Sequence, residues 1–221
     1  GIDAYVPNMV YGKIIAPPRR LGAKIVSIND EAAKGISGYM ATLPINLPEA
    51  GLESGFITHT PLVIAKSFAA AMRAAEVIEV SWDVGGTSTM SSEDFVADAR
   101  NLLAERANET EVLRIGDTAG ARATAAHTFE RVYETSMVAH VPMEPMSALA
   151  HFSDGKLHLY SGHQIASLLP TAISNFTGLD PQNIIFHPHL IGGGFGKRNE
   201  FEPLILSSIA AIQMKMPVKV I

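Results

Sequence analysis

The chain has 221 residues, with 17 Lys and Arg against 22 Asp and Glu, a formal charge of −5 and no long basic run, which argues against nucleic acid as its main partner. Hydrophobic residues make up 47%, enough for a buried core in one large or two small domains and too many for wholesale disorder. There is no cysteine, so disulfides, thiolate-held iron–sulfur clusters, zinc–thiolate sites and a cysteine nucleophile are excluded within this chain.

In chain order, Val10 to Ala16 reads as a strand stopped by Pro17-Pro18, and Ala23 to Ile28 as a second. Asn29-Asp30-Glu31 caps a short helix ending at Gly35. Leu62 to Ala65 is a buried strand, and Ser67 caps an Ala-rich helix running to about Glu76. Val77 to Asp83 alternates apolar and polar, as a half-buried strand does. Residues 1–84 thus form a first α+β unit.

Gly85-Gly86-Thr87-Ser88 reads as a linker, opening a segment over 85–126 with one amphipathic helix. Ser91 or Ser92 caps that helix, Glu93 and Asp94 sit in its first turn, and it ends near Ala107-Asn108. Its stripe of Phe95, Ala99, Leu102 and Leu103 reads as packing rather than a partner site. Residues 127–221 form the second α+β unit. It opens with a strand from Phe129 to Ser136, then a hairpin of Ala148 to Phe152 and Lys156 to Tyr160 around Ser153-Asp154-Gly155. Pro170 opens a helix that runs to Phe176 and stops at Gly178.

No stretch reaches the roughly 18 apolar residues of a membrane helix, and no signal peptide is present. Both ends read as cut, so a missing leader says little. The last strand, Val218 to Ile221, is expected to leave an unpaired apolar edge, implying an oligomer or an edge paired with a neighbour.

The residues that could carry chemistry centre on Leu190 to Arg198, where Gly192, Gly193, Gly194 and Gly196 occupy four of five positions. Little side-chain bulk and free access to positive φ let such a backbone approach a ligand closely. A strand precedes the run at Asn183 to Phe186, and a helix follows from Glu200 to Met214 with Pro203 in its first turn. Strand, glycine loop and helix start make an anion cradle, although a plain structural turn explains the glycines as well. A Walker-type loop needs glycine where Ile191 stands and Ser or Thr where Arg198 stands. A dinucleotide fingerprint needs glycine at Lys197.

His187 and His189 fall on one side of a strand, and His151 and His158 are cross-strand neighbours, but neither pair has a carboxylate completing a metal ligand set. Hydrogen-bonded strand histidines describe them better. His140 and Glu144 share a Pro-bracketed loop. They read either as a general acid/base pair or as a carboxylate tying down a rigid turn.

Four segments occur in order: Val138 to Pro145, Tyr160-Ser161-Gly162-His163-Gln164 followed by Ala166 to Pro170, Thr177-Gly178-Leu179-Asp180, and Gly192-Gly193-Gly194-Phe195-Gly196. This series resembles the molybdenum-binding subunit of the xanthine dehydrogenase/aldehyde oxidase family. The nearest branch is that of the isoquinoline 1-oxidoreductase beta subunit and membrane-associated aldehyde dehydrogenases.

The resemblance implies a hammerhead-like domain followed by the first part of a molybdopterin-binding domain. It implies a pterin cofactor, molybdopterin or molybdopterin cytosine dinucleotide, that holds molybdenum without a protein ligand. Gln164 would donate towards the metal's apical oxygen, and the backbone N–H groups of Phe195 and Gly196 would contact the cofactor. Gly193, Gly194 and Arg198 complete the implied cofactor set. The implied reaction oxidises aldehydes or N-heteroaromatic compounds with oxygen from water and passes electrons to an iron–sulfur subunit or domain. The branch is bacterial, periplasmic or membrane-associated. The xanthine-type substrate Glu is replaced by Asn199 or Glu200, which argues against a purine. The family's catalytic Glu would lie downstream of Ile221, so this piece alone is expected to be inactive. The rival is a non-catalytic α+β domain whose loop only turns or binds a phosphorylated small molecule. A third possibility is a natural half-subunit completed by a separate chain.

Overall fold

The computed structural model describes residues 1–20, 22–47, 57, 59–85, 90–105, 110, 112–113 and 115–221. In chain order the strands are β1 (Val10–Ile14), β2 (Lys24–Asn29), β3 (Tyr39–Asn46), β4 (His59–Ala65), β5 (Glu79–Asp83), β6 (Ala148–Ser153), β7 (Lys156–Ser161), β8 (Ile184–Pro188) and β9 (Val218–Val220). The α-helices are α1 (Phe68–Val77), α2 (Ser92–Glu105), α3 (Thr118–Thr124), α4 (Leu169–Thr177) and α5 (Glu202–Met214). The chain divides into two compact units, Gly1–Thr87 with His140–Ile221, and Ser88–Ala139.

The first unit is built on a seven-stranded mixed sheet of order β3-β4-β1-β9-β6-β7-β8, with β2 and β5 paired apart from it. The fold is α+β. Strands from residues 1–84 and from residues 127–221 share this one sheet. The same core holds Leu62 and Ile64 from β4, Leu159 from β7, Leu169 from α4 and Leu204 from α5. Burying each such side chain is worth about 1.5–3 kcal/mol.

Local chemistry explains most element ends. Ser67 Oγ accepts from Ala70 N–H at 3.2 Å and caps α1. Asp154 (φ 51°) and Gly155 (φ 75°) both take left-handed conformations, the geometry that closes a two-residue hairpin between β6 and β7. Gly178 (φ 70°) ends α4, its N–H donating to the Ser174 carbonyl at 2.8 Å. Lys215 ends α5 in the left-handed region, where sequence offers no glycine. β3 has no counterpart in the sequence expectations. It contains Pro44, whose missing N–H an edge strand tolerates, and β3 is an edge strand.

β9 corrects the expectation of an unpaired edge. It lies inside the sheet, parallel to β1 and antiparallel to β6, with all three residues buried. The ground for expecting association through Val218 to Ile221 is therefore gone. An apolar run shows that a strand is buried, but not which neighbours it takes.

In the second unit, Ser91 rather than Ser92 caps α2, in a reciprocal capping box. Asp94 N–H donates to Ser91 Oγ at 3.1 Å, and Ser91 N–H to Asp94 Oδ2 at 2.9 Å. The expected packing of the α2 stripe is not realised within this unit: Phe95, Leu102 and Leu103 are all exposed. The strand expected over Phe129 to Ser136 is also absent, because β-propensity forms no strand without a partner edge. Apart from Gly85, the expected linker lies outside the described residues, as does the expected helix end at Ala107-Asn108.

Candidate functional site

β8 delivers the chain to the glycine run, which a 3-10 turn over Lys197–Asn199 joins to α5. The close approaches here explain the glycines. A Cβ on Gly192 would stand 2.6 Å from Glu144 Cβ, and one on Gly194 would stand 2.8 Å from Gln164 Oε1. Gly193 (φ 94°) and Gly196 (φ 87°) also need the left-handed freedom of glycine. Phe195 takes φ 52° without that freedom, at a cost of about 1–2 kcal/mol, and its ring is 71% exposed. Its surroundings must hold this strained backbone in place.

Gln164 is bound to the loop through both its backbone and its side chain. Its N–H donates to the Arg198 carbonyl at 3.1 Å, and its Oε1 accepts from Gly196 N–H at 3.2 Å. A backbone N–H can only donate, so this bond fixes the carboxamide with oxygen toward the loop and Nε2 away from it. Nε2 has no partner among the described residues, and neither do the N–H groups of Gly193, Gly194 and Phe195. Consecutive amides in such a turn form an anion-binding concavity. Gln164 Nε2 and these three amides are thus four uncommitted donors on and beside the glycine loop. Of the two amides implied by the resemblance, that of Phe195 is free and that of Gly196 is engaged by Gln164.

Beneath this surface, Glu144 joins the loop to the segment around it. Its Oε1 accepts from the nitrogens of Gly1 (2.8 Å) and Ile2 (2.9 Å), and its Oε2 from Gly192 N–H (2.7 Å) and Arg198 Nη2 (2.9 Å). Burial opposes its ionisation. Hydrogen bonds from the Gly1 nitrogen and the amides of Ile2 and Gly192, with the charge of Arg198, outweigh it and lower the carboxyl's pKa. Arg198 is completely buried and donates also to the carbonyls of Gly193 (2.7 Å) and Glu144 (2.8 Å). Its Nη1 is buried without a partner among the described residues. Of the two sequence alternatives for Glu144, the structure brings about the carboxylate that ties down a turn. None of its hydrogen bonds goes to His140.

His163, next to Gln164, accepts from Ile165 N–H at 3.2 Å through Nδ1 and stacks on Phe201 with ring centroids 5.0 Å apart. Burial pushes its pKa down. His140 Nε2 stands 4.0 Å from where a Gly196 Cβ would be. Away from the loop, His158 Nδ1 and His187 Nε2 share a hydrogen bond of 3.0 Å, and the His187 ring stacks on Tyr160 at 4.4 Å. Among the described residues, no cluster of three or more His, Asp or Glu could hold a metal ion. Asn199 is exposed, and Glu200 pairs with Lys197 and Arg20.

Sequence marked Gln164, Gly193, Gly194, Phe195, Gly196 and Arg198, and the structure brings all of them to one loop. Arg198 lies within it rather than on its open surface. The partnership of Glu144 with Arg198 went unseen, because 54 residues separate them; a lone Arg after a glycine run was its only sequence sign.

The molybdopterin cofactor-binding domain model matches residues 102–221. Over its whole length the chain is 31% identical to 28% of a membrane-bound aldehyde dehydrogenase [pyrroloquinoline-quinone] of Gluconacetobacter polyoxogenes. It is 24% identical to the isoquinoline 1-oxidoreductase subunit beta of Brevundimonas diminuta, again over 100% of this chain and 28% of the relative. Quinoline 2-oxidoreductase from Pseudomonas putida 86 shares the fold, with a TM-score of 0.66 at 20% identity over 100% of this chain and 32% of that one. The chain therefore spans about three-tenths of these three proteins, and it belongs to the molybdopterin cofactor-binding domain family of the molybdenum hydroxylases.

Proposed function

We propose that this chain is the part of a molybdenum hydroxylase subunit that grips the metal-bearing end of a molybdopterin cofactor. The observation that carries the proposal is the set of uncommitted donors on Gln164, Gly193, Gly194 and Phe195, beside glycines that leave room for close approach. An anionic, oxygen-rich cofactor wants such donors and no side-chain bulk. When bound, the cofactor supplies the oxidation chemistry. Gln164 Nε2 and the three free amides donate to it, Gly196 fixes the orientation of the Gln164 amide, and Arg198 holds the loop from within. The cytosine dinucleotide form of the pterin belongs to this proposal.

The complete protein oxidises aldehydes or N-heteroaromatic compounds with oxygen from water, in keeping with the names of its relatives. Electrons leave through an iron–sulfur subunit or domain, and the general-base Glu belongs to the remainder of the subunit. Residues 1–84 correspond to the hammerhead domain, 85–126 to its linker and 127–221 to the start of the cofactor domain. A periplasmic or membrane-associated site of action is part of the proposal, supported by the membrane-bound relative. No helix among the described residues is long and apolar enough to cross a membrane.

One relative is named for pyrroloquinoline quinone, so the test must separate the two cofactors. Metal analysis and cofactor extraction of the purified full-length protein should give stoichiometric molybdenum with a pterin. Pyrroloquinoline quinone without molybdenum would contradict the proposal, and a bound phosphorylated metabolite in place of either would favour the non-catalytic rival.

A further inference from the structure

We propose that Glu144 and Arg198 are positioning residues that keep the glycine loop in its receptive shape before any cofactor arrives, and so set how firmly the cofactor is retained. The proposal rests on the cofactor reading given above for what the loop holds, but not for how the loop is held.

Three features of the loop need an external cause. Phe195 sits in a left-handed conformation that costs it energy. The amides of Gly193, Gly194 and Phe195 have no acceptor among the described residues. A glycine-rich segment also has more conformations to lose than any other when it is fixed in one. The loop's own backbone adds one bond, from Lys197 N–H to the Gly194 carbonyl at 2.8 Å, which closes its far end and leaves Gly192 and Gly193 to be held from elsewhere. What fixes it comes from below. Glu144 Oε2 takes Gly192 N–H at 2.7 Å, and Glu144 N–H donates to the Gly192 carbonyl at 3.2 Å. Arg198 Nε takes the Gly193 carbonyl at 2.7 Å, and its Nη2 reaches both the carbonyl and the carboxylate of Glu144. Gly192 and Gly193 thus have their carbonyls turned inward. The amides that follow these two carbonyls, those of Gly193 and Gly194, then point to the opposite side of their peptide planes.

The ion pair suits this work because it is enclosed. Arg198 is fully buried and the Glu144 side chain is only 12% exposed, so water does not replace a lost partner. Burial also makes the charge-assisted bonds short and directional. A pair with this geometry selects one loop shape and leaves the open face free.

The test is amide hydrogen exchange on the full-length protein, combined with molybdenum retention and turnover. In Glu144→Gln, the peptide covering residues 190–197 should exchange at least roughly ten-fold faster, while the β6–β7 hairpin keeps its wild-type protection. Molybdenum retained through extended dialysis should fall several-fold, with turnover per retained molybdenum unchanged. A merely structural role would loosen hairpin and loop together and would leave no such split. If Glu144→Gln fails to fold because Arg198 is left charged and unpaired, the double variant Glu144→Gln with Arg198→Met removes that charge and should show the same local loosening. Unchanged exchange over 190–197 in either variant overturns the proposal and leaves the cofactor assignment standing. Faster local exchange with undiminished molybdenum retention overturns it too, and shows in addition that the loop is not where the cofactor is held.

Discussion

Gln164→Glu in the full-length protein is expected to lower turnover per bound molybdenum by roughly a hundred- to a thousand-fold. That is the usual effect, about 3–4 kcal/mol of barrier, of losing one preorganised donor in a closed site. The structure makes this substitution selective. Gln164 Oε1 accepts from Gly196 N–H at 3.2 Å, and a glutamate oxygen can accept the same bond. The backbone bond from Gln164 N–H to the Arg198 carbonyl is untouched. The loop anchor therefore survives, and only the outward-facing Nε2 changes, from a donor to a charged acceptor. Repulsion of an anionic cofactor adds to the loss. Steady-state kinetics normalised to metal content measure the effect. Wild-type turnover per molybdenum would place Gln164 away from the reacting end.

Gly196→Val is expected to act on occupancy instead. At φ 87°, an L-residue is strained by about 1–2 kcal/mol, and a β-branched one is restricted further. The added Cβ itself meets nothing closer than His140 Nε2 at 4.0 Å. The protein has space for the side chain, so the cost falls on the loop's shape and on the open surface. Since 1.4 kcal/mol is a factor of ten in an equilibrium constant, the cofactor's binding constant should drop roughly ten-fold, and occupancy with it where cofactor is limiting. Turnover per bound molybdenum should change far less. Molybdenum-to-protein ratios, set beside kinetics on the same preparations, separate the two variants. Wild-type occupancy in Gly196→Val would make the loop a structural turn.

Much of this site is legible in the chain because its cues are local. A glycine needed for a close approach leaves its mark at that position, and so do the Asp154-Gly155 turn and the Gly178 helix stop. Gln164 is different: by itself it is one more polar residue at a strand end, and only the ordered resemblance singles it out. What sequence does not show is long-range. The place of β9 between β1 and β6 is decided by crossovers, not by its Val-Lys-Val pattern. Phe129 to Ser136 has strand-forming residues but no edge to join. Glu144 shows no sign of its buried partner, because ion pairing across 54 residues leaves no periodicity.

The most direct measurement is a structure of the full-length protein with its cofactor bound. The account predicts cofactor oxygen or phosphate atoms within about 3.2 Å of Gln164 Nε2 and of Phe195 N, with Glu144 still bonded to Gly192 and Arg198 beneath the loop. A cofactor seated elsewhere, with no polar atom in hydrogen-bonding reach of residues 193–196 or Gln164, would contradict it.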